Sequence, residues 1–476
     1  MSLRERFGLG TLKPPSTTRT LDADDADQDT GASSAPLPAA SGHAHTEGHS
    51  AAIKAYQQLK AQVHQQVLRL LDIEALDRLP QDRLRDELRV LVEQLLHEES
   101  IALNAIERRT LVSEIQDEML GLGPLEPLLQ DPSISDILVN TPHKVYVERR
   151  GKLELSPVTF NDNAHLMKII EKIVSRVGRR VDESSPMADA RLEDGSRVNV
   201  IIPPLAIDGP VMSIRRFSAT PLQMPSLLAN KTLSEEMSLF LAAAAEAKIN
   251  LIISGGTGSG KTTLLNILSS CIRATERIVT IEDAAELQLQ QPHVVRLETR
   301  PANIEGRGEV TQRSLVRNAL RMRPDRIVLG ETRGAEAVDM LQAMNTGHEG
   351  SMTTIHANTP RDALARLESM VAMAGVDLPA RAARAQIASA ISVIVQTSRL
   401  TDGSRRITSI SEITGMEGEI ISMQELFAFK QTGVQQNGTV QGYFSACGVR
   451  SNLWDRLVSH GINLPDRLFD PVRQAV

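Results

Sequence analysis

The first apolar pattern along the chain is helical. Between residues 52 and 121 large apolar side chains recur at intervals of three and four residues, as in Ile53, Tyr56, Leu59, Val63 and Val67, and again in Leu84, Leu88, Leu91 and Leu95. Pro80 separates these two segments, and "GLGPLEPLL" from Gly121 ends a third. The pattern predicts a helical bundle over residues 51–130. The alternative, an amphipathic helix on a membrane surface, is disfavoured by the mixed charges.

Strand-like runs begin after this region. "ISDILVN", "KVYVERRGKLEL", "SRVNVIIPP" and "GPVMSIRRF" read as strands, and "AHLMKIIEKIVSRVG" reads as a helix, so residues 131–220 predict an α+β domain. Prolines over 221–231 indicate a linker or hinge. From 232 to 430 strands and helices alternate, which predicts an α/β fold with a mostly parallel sheet. Residues 431–476 read as a small appendage, and residues 1–50, poor in large apolar side chains, as a disordered tail.

A glycine-rich loop interrupts the alternating region directly after an apolar strand. The stretch "LIISGGTGSGKTTLLNIL" fits G-x-x-x-x-G-K-[ST] from Gly255 to Thr262. Glycines let successive N–H groups face one anion, and the start of a helix also favours negative charge. The spacing predicts a nucleotide phosphate site; the alternative is a flexible turn that happens to carry a lysine. The predicted phosphate-binding residues are Gly255, Gly256, Thr257, Gly258, Ser259, Gly260, Lys261, Thr262 and Thr263.

Carboxylates follow two later strands. "RIVTIEDAAEL" places Glu282, Asp283 and Glu286 at the carboxyl end of a strand, where ligands bind in open α/β sheets. "PDRIVLGETRG" ends in Gly330 and Glu331. The aspartate usual in this second motif would stand at about Gly330, so Glu331 is the candidate to hold Mg²⁺, with Thr262 from the loop. The alternative for each carboxylate is a solvated loop residue.

Histidines and arginines complete the candidates. His348 and His356 bracket one strand in "TGHEGSMTTIHANTP", and an imidazole there could donate to a γ-phosphate, although lone histidines are more often structural. Arginine carries a permanent charge and a fork suited to phosphates. Surface solvation is the default for any single arginine. If the linker folds the middle region over the nucleotide, the arginines of that region would become phosphate clamps, within one chain or across subunits. These arginines are Arg191, Arg197, Arg215 and Arg216.

Composition narrows the class of protein. The 476 residues are 41% hydrophobic and 23% charged, which is typical of a globular protein of two or three domains. The net charge of −7 and 3% aromatic residues argue against a nucleic-acid binder. The two cysteines, Cys271 and Cys447, form no disulfide framework. The sequence offers neither a signal peptide nor the ~20 apolar residues of a membrane helix. We therefore expect a cytoplasmic protein that meets a membrane only through partners.

Four motifs carry a family resemblance. "GGTGSGKTT", "TIEDAAELQL", "LRMRPDRIVLGETRGAEA" and "TGHEGSMTTIHANTPRDALARLE" resemble the boxes of the secretion ATPase superfamily. "DGSRVNVIIPP", "SIRRF" and "QIASAISVIVQTSRLTDGSRRITSISEITGMEG" are similar to its CpaF branch, the Tad pilus assembly ATPases. The resemblance implies a RecA-like motor domain, a PAS-like α+β middle domain and an N-terminal helical bundle. It also implies a homo-hexameric ring that uses ATP and Mg²⁺ and acts through inner-membrane platform proteins.

The resemblance also assigns roles. It implies that Lys261 and Thr262 bind phosphate and Mg²⁺, that Glu286 polarises the attacking water and that Glu331 assists the metal. His348 and His356 would be the histidine-box residues, and arginines of the middle region would complete the site. Two other classes stay open at this point: a nucleic-acid motor, and a nucleotide-gated scaffold that works by binding alone. Extension and retraction of a fibre are not distinguished.

Overall fold

The computed structural model describes residues 44–70, 81–98, 103–149, 151–217, 222–302, 306–376 and 378–475. Most of the predicted tail, residues 1–43, lies outside these ranges, as does Pro80. The predicted boundary at residue 50 is too late, because a helix already begins at Ala44. The apolar stripe that set this boundary begins only at Ile53, and a helix can extend beyond its apolar stripe.

The helices are numbered in chain order. They are α1 (Ala44–Leu70), α2 (Gln81–Glu98), α3 (Ala105–Leu120), α4 (Glu126–Gln130), α5 (Asn163–Arg176), α6 (Met224–Ala229), α7 (Glu235–Glu246), α8 (Lys261–Ser269), α9 (Gln312–Ala319), α10 (Glu336–Asn345), α11 (Pro360–Met373), α12 (Ala380–Ala390) and α13 (Trp454–Ser459). Single 3₁₀ turns cover Gly123–Leu125 and Asp466–Phe469.

The strands are numbered in the same way. They are β1 (Ile134–Thr141), β2 (Lys144–Arg149), β3 (Lys152–Leu155), β4 (Met187–Arg191), β5 (Arg197–Ile201), β6 (Val211–Arg215), β7 (Leu251–Gly255), β8 (Ile278–Glu282), β9 (Val294–Glu298), β10 (Arg326–Leu329), β11 (Met352–Ile355), β12 (Val393–Arg399), β13 (Arg405–Glu417), β14 (Ile420–Val434), β15 (Val440–Ala446) and β16 (Gln474–Ala475).

Helices α1 to α3 share one apolar core. Val63 and Val67 of α1, Leu88 of α2 and Leu111 and Ile115 of α3 are buried in it. Helix α3 begins with a capping box. The Asn104 side chain accepts from backbone N–H groups of the first turn, and the Glu107 side chain accepts from the Asn104 N–H. The three helices lie in the region for which the sequence predicts a bundle.

The first sheet has six strands in the order β3-β2-β1-β6-β5-β4. Strands β1, β2, β3, β5 and β6 and helix α5 occupy the segments that the sequence predicts. Strand β4 was not predicted. Its buried positions are Ala188 and Ala190, which give none of the β-branched or aromatic signal by which strands are recognised.

The chain divides into two compact units that cut across the predicted domains. One contains the described residues among 1–146, 155–190 and 199–213, and the other contains those among 147–154, 191–198 and 214–476. All residues of the candidate site discussed below belong to the second unit.

The second unit is built on a ten-stranded sheet in the order β16-β15-β14-β13-β12-β7-β11-β10-β8-β9. The six strands from β12 to β9 are parallel, which confirms the predicted parallel sheet. Strand β7 is buried on both faces, since Leu251 and Ile253 lie in one apolar core and Ile252 lies in the other. The loops that follow the parallel strands therefore meet at one edge of the sheet.

Two predicted boundaries in this unit are wrong. Strand β14 crosses residue 430, and β13 to β16 extend the same sheet in antiparallel fashion, so residues 431–476 are not a separate appendage. The predicted linker 221–231 contains α6, whose Leu227 is buried in the core of this unit. Pro225 is tolerated there because it stands in the first helical turn, where its missing N–H has no intrahelical partner to lose.

No helix in the described ranges has both the length and the apolar character needed to cross a membrane.

Candidate functional site

The glycine-rich loop joins β7 to α8 at the carboxyl edge of the parallel strands. Gly258 and Gly260 have φ angles of 69° and 97°, in the left-handed region that glycine adopts without strain. At Gly255 a Cβ atom would stand 2.4 Å from the carbonyl oxygen of Thr397 on the neighbouring β12. Helix α8 begins at Lys261, so the N–H groups of its first turn have no intrahelical partners. The loop and the helix start therefore fit a phosphate group.

Lys261 lies across this loop. Its Nζ donates to the Gly256 carbonyl oxygen at 2.9 Å and lies 3.1 Å from Nε2 of His356. Burial lowers the pKa of Lys261, and the negative charge of Glu331 opposes that shift. The side chain is thus a desolvated cation at the point where the motif requires one.

A chain of charged side chains continues from Lys261. Glu331 follows β10, and its Oε1 lies 3.2 Å from Nε2 of His356. The other oxygen, Oε2, accepts from Nη2 of Arg333 at 2.6 Å, and Nη1 of Arg333 lies 3.4 Å from Asp283. Burial and the nearby Lys261 charge lower the pKa of His356. Loops that follow β8, β10 and β11 therefore meet at the glycine-rich loop.

The predicted acidic cluster divides into three environments. Asp283 pairs with Arg333, and Glu286 lines a cavity beside the loop helix. Glu282 is buried, with 3% of its surface exposed, and its Oε1 accepts from the backbone N–H groups of Glu286 and Leu287, each at 2.9 Å. Burial raises the pKa of Glu282 to about 7, although those two N–H groups oppose the shift. Glu282 is therefore enclosed, whereas Glu286 is accessible.

The cavity brings arginines to the loop helix. Its walls include Arg197, Arg215, Arg216, Thr262, Thr263, Asn266, Glu286 and Gln288. The positive charge of Arg215 also contributes to the lowered pKa of Lys261. Arg191 is placed differently, because its Nη1 lies 3.0 Å from Oε2 of Glu298 on β9. Three of the four predicted arginines thus share one cavity with Thr262 and Glu286.

His348 does not join this group. It precedes β11, and its carbonyl oxygen accepts from the Ser351 hydroxyl at 2.7 Å. The Ser351 carbonyl in turn accepts from the N–H of Leu251, the first residue of β7. His356 follows the other end of β11, and strands rise about 3.3 Å per residue. The structure does not bring His348 to the glycine-rich loop, because the whole of β11 separates it from His356, and its predicted contact with a phosphate stays a prediction.

The sequence did not single out three residues that support the loop. Arg333 connects Asp283 to Glu331, Arg405 of β13 donates from Nε to the Gly258 carbonyl oxygen at 2.9 Å, and the Thr397 hydroxyl lies 2.9 Å from that of Ser259. Arg333 could have been found from its position two residues after Glu331. Nothing in the local sequence places β12 and β13 beside the loop.

A magnesium ion would find oxygen ligands here. Thr262 and Glu286 line the same cavity, and Mg²⁺ prefers oxygen donors of the kind they carry, supplemented by phosphate and water. Both oxygens of Glu331 are already in contact with His356 and Arg333, so Glu331 suits an indirect role through water. Within the described residues no group of three or more histidine, cysteine, aspartate or glutamate side chains is arranged to hold a metal by itself.

Comparison with known proteins gives the family. Residues 118–447 match the family described as Type II/IV secretion system protein, and residues 56–120 match the N-terminal domain of Type II secretion system protein E. A Mycobacterium tuberculosis protein (strain CDC 1551) named for conjugal transfer is 39% identical over 312 residues, which cover 64% of this chain and 88% of that protein.

Two further relatives carry the name VirB11. The type IV secretion system protein VirB11 of Bartonella henselae is 32% identical over 332 residues, covering 61% of this chain and 91% of that protein. The solved VirB11 ATPase of Brucella suis, in complex with sulphate, is 30% identical, covers 61% of this chain and 95% of that chain, and has a TM-score of 0.33.

The relatives belong to the secretion ATPase superfamily, so the predicted enzyme class is confirmed at the level of the family. The family match covers more than half of the sequence. The chain belongs to the Type II/IV secretion system protein family.

Proposed function

We propose that the chain binds ATP with Mg²⁺ and hydrolyses it as a motor of a Tad or type IV-like pilus. The observation that carries the proposal is the meeting of Lys261, Glu331 and His356 beside the loop. The cavity that joins Thr262 and Glu286 to three arginines supports it. An anionic, hydrolysable phosphate chain suits such a site, because the loop supplies N–H groups and the cavity walls supply arginines and a carboxylate.

The proposed chemistry uses these groups in separate roles. The loop N–H groups and Lys261 would hold the β and γ phosphates. Thr262 would bind Mg²⁺ directly, and Glu331 would bind it through water. When bound, Mg²⁺ neutralises charge on the phosphate oxygens. Glu286 would orient a water molecule and accept its proton as the water oxygen attacks the γ-phosphorus and the bond to the ADP oxygen breaks. Arg197, Arg215 and Arg216, which line the same cavity as Thr262, would neutralise the charge that develops.

We further propose the architecture and partners that the sequence resemblance implies. Six copies would form a ring, each with a RecA-like motor domain, a PAS-like middle domain and an N-terminal helical bundle. The ring would stand on the cytoplasmic side of the inner membrane and pass force to platform proteins. Support comes from the family match, which spans both the N-terminal region and the loop-bearing unit.

The names of the relatives favour a second candidate, a motor of a conjugation or type IV secretion machine. The two candidates differ in what fails when the motor stops. A strain that lacks the chain, complemented with wild type or Glu286→Gln, should assemble surface pili only with wild type. Loss of DNA or effector transfer with normal pili would select the second candidate. Full fibre assembly with Glu286→Gln would favour a scaffold that does not need hydrolysis.

A further inference from the structure

Gly330 stands where motors with this loop often carry an aspartate, and the structure shows what fills the space in front of it. A Cβ atom on Gly330 would lie 2.8 Å from Cγ of Glu282 and 3.4 Å from its Oε1. Strands β8 and β10 pair in register with Leu329 opposite Ile281, so Gly330 and Glu282 are adjacent. The Gly330 N–H donates to the Ile281 carbonyl at 2.9 Å, which fixes this closeness. Any larger residue at 330 would displace Glu282.

The same side chain also organises the turn after β8. Glu282 Oε1 accepts from the N–H groups of Glu286 and Leu287, each at 2.9 Å. The N–H groups on either side are held by other side chains, Ala285 by Glu298 Oε2 at 3.3 Å and Gln288 by Asn266 Oδ1 at 2.8 Å, so Glu282 fixes the two residues between them. Its bonds are strong because a carboxyl group accepts two donors in a buried place. Glu282 itself does not line the cavity that Glu286 and Thr262 share.

We propose that Glu282 is a positioning residue of the ATPase site, whose buried side chain occupies the space left by Gly330 and holds the turn that presents Glu286. One side chain would then set the places of two functional carboxylates. Glu286 is held through the two N–H bonds, and Glu331 follows Gly330 directly in the chain. The inference rests on the proposed function, but its structural half can be measured without turnover.

Glutamine separates positioning from chemistry. In Glu282→Gln the amide oxygen can still accept both N–H groups, whereas Glu282→Ala removes the acceptor. We expect Glu282→Ala to lose about tenfold or more in the rate of phosphate release, since small displacements of a catalytic group have effects of this size. Glu282→Gln should stay within about threefold of wild type. The affinity for a fluorescent ATP analogue should change little in either variant, because the loop is untouched.

Hydrogen–deuterium exchange gives the readout that does not depend on turnover. Peptides covering residues 283–288 should exchange faster in Glu282→Ala and as in wild type in Glu282→Gln. If wild type releases no phosphate, the proposed function fails, and exchange still decides this inference. The inference is overturned if Glu282→Ala leaves both exchange and turnover unchanged. It is also overturned if Glu282→Gln is as inactive as Glu286→Gln while exchange stays protected, since the carboxylate would then take part in the chemistry.

Gly330 supplies a second, independent test. Gly330→Ala should lower turnover as Glu282→Ala does, because its methyl group displaces the Glu282 side chain. The double variant should be no less active than either single variant, since removing the glutamate makes room for the methyl group. If the two losses multiply, the residues do not share one space and the inference is wrong.

Discussion

At the scale of single residues, Lys261, His356 and Glu331 form a continuous contact beside the glycine-rich loop, with separations of 3.1 and 3.2 Å. Burial lowers the pKa of both Lys261 and His356, so the protein has partly replaced water around them. Electrostatic interactions with a bound phosphate are stronger in such surroundings than in bulk water. We therefore propose that His356 acts on the phosphate end of a bound nucleotide.

His356→Ala should lower the rate of phosphate release by about tenfold or more, since loss of one donor in an enclosed site has at least this effect. His348→Ala is the matched control, because His348 stands at the other end of β11. Its turnover, normalised to folded protein, should remain within about twofold of wild type. Equal losses in both variants would mean that the separation seen along β11 does not describe the working enzyme.

Glu282 gives the site a pH-dependent stability. Its pKa of about 7 in the folded protein lies above its ordinary value of 4.5, so the folded state binds the proton more tightly than the unfolded state. The contribution of Glu282 to stability is then most favourable below pH 4.5 and decreases as pH rises towards 7. Glu282→Gln should melt close to wild type at pH 5 and above it at pH 8. A difference in melting temperature that does not change between these pH values would contradict the assignment.

Local motifs explain why some residues could be predicted from sequence and others not. The loop from Gly255 to Thr262 is contiguous, and its spacing alone specifies its geometry. Glu282 and Glu286 look alike in sequence, yet one is buried beneath Gly330 and the other lines a cavity. The direction in which each carboxylate faces depends on the neighbouring strand β10. That strand is almost fifty residues away from Glu282 in the sequence, so no local pattern shows it.

At the scale of elements, a buried ion pair fixes the start of β10. Arg326 is fully buried and donates from Nε and Nη2 to the two oxygens of Glu276 at 2.7 and 2.8 Å, while Nη1 donates to the Ala245 carbonyl at 2.6 Å. The pair thus connects β10 to the end of α7 and to the segment before β8. These elements lead into the loops of the site. The ion pair at the start of β10 therefore supports the strand whose other end leads to Glu331.

Glu276→Gln should lower the free energy of unfolding by about 3–5 kcal/mol, because it leaves the Arg326 charge buried without its counter-charge. The matched control is Glu246→Gln, which breaks an exposed pair in which Oε1 lies 3.1 Å from Arg273. That change should cost about 1 kcal/mol or less. Urea unfolding of both variants measures the difference, and similar costs would show that the buried pair is not the stronger support.

The elements that the sequence missed have a common physical cause. The parallel strands could be predicted because burial on both faces demands continuous apolar runs, as in β7. Strand β4 buries two alanines, and β14 and β15 alternate with polar residues at the outer part of the sheet. Sheet membership of such strands is decided by pairing with distant neighbours, which no local pattern shows.

At the scale of the whole molecule, the proposed ring requires six copies of the chain to assemble. We expect the mass in solution, measured by light scattering, to reach that of six chains when ATP and Mg²⁺ are present with Glu286→Gln, which should bind nucleotide without releasing it. Lys261→Ala should assemble less readily, since it lacks a phosphate contact. A mass of one chain under all these conditions would contradict the ring.

The sequence motifs specify the superfamily of the chain but not the fibre or substrate that it moves. Four motifs led to the superfamily, and the family match over residues 118–447 agrees with them. The Tad branch rests on similarities outside the ATPase motifs, and it remains a prediction. Motor chemistry is specified by a few side chains, whereas the moved fibre is chosen by surfaces that partners recognise, and these carry no comparable motif.

The most direct measurement is the steady-state release of phosphate from ATP with Mg²⁺ by the purified full chain, beside Lys261→Ala. Lys261 reaches the loop carbonyl, His356 and the surroundings of Glu331, so its removal should abolish phosphate binding with little effect on the buried sheet. We predict turnover by wild type that falls by about a hundredfold or more in the variant. Equal phosphate release by the two proteins, or none by assembled wild type, would contradict it.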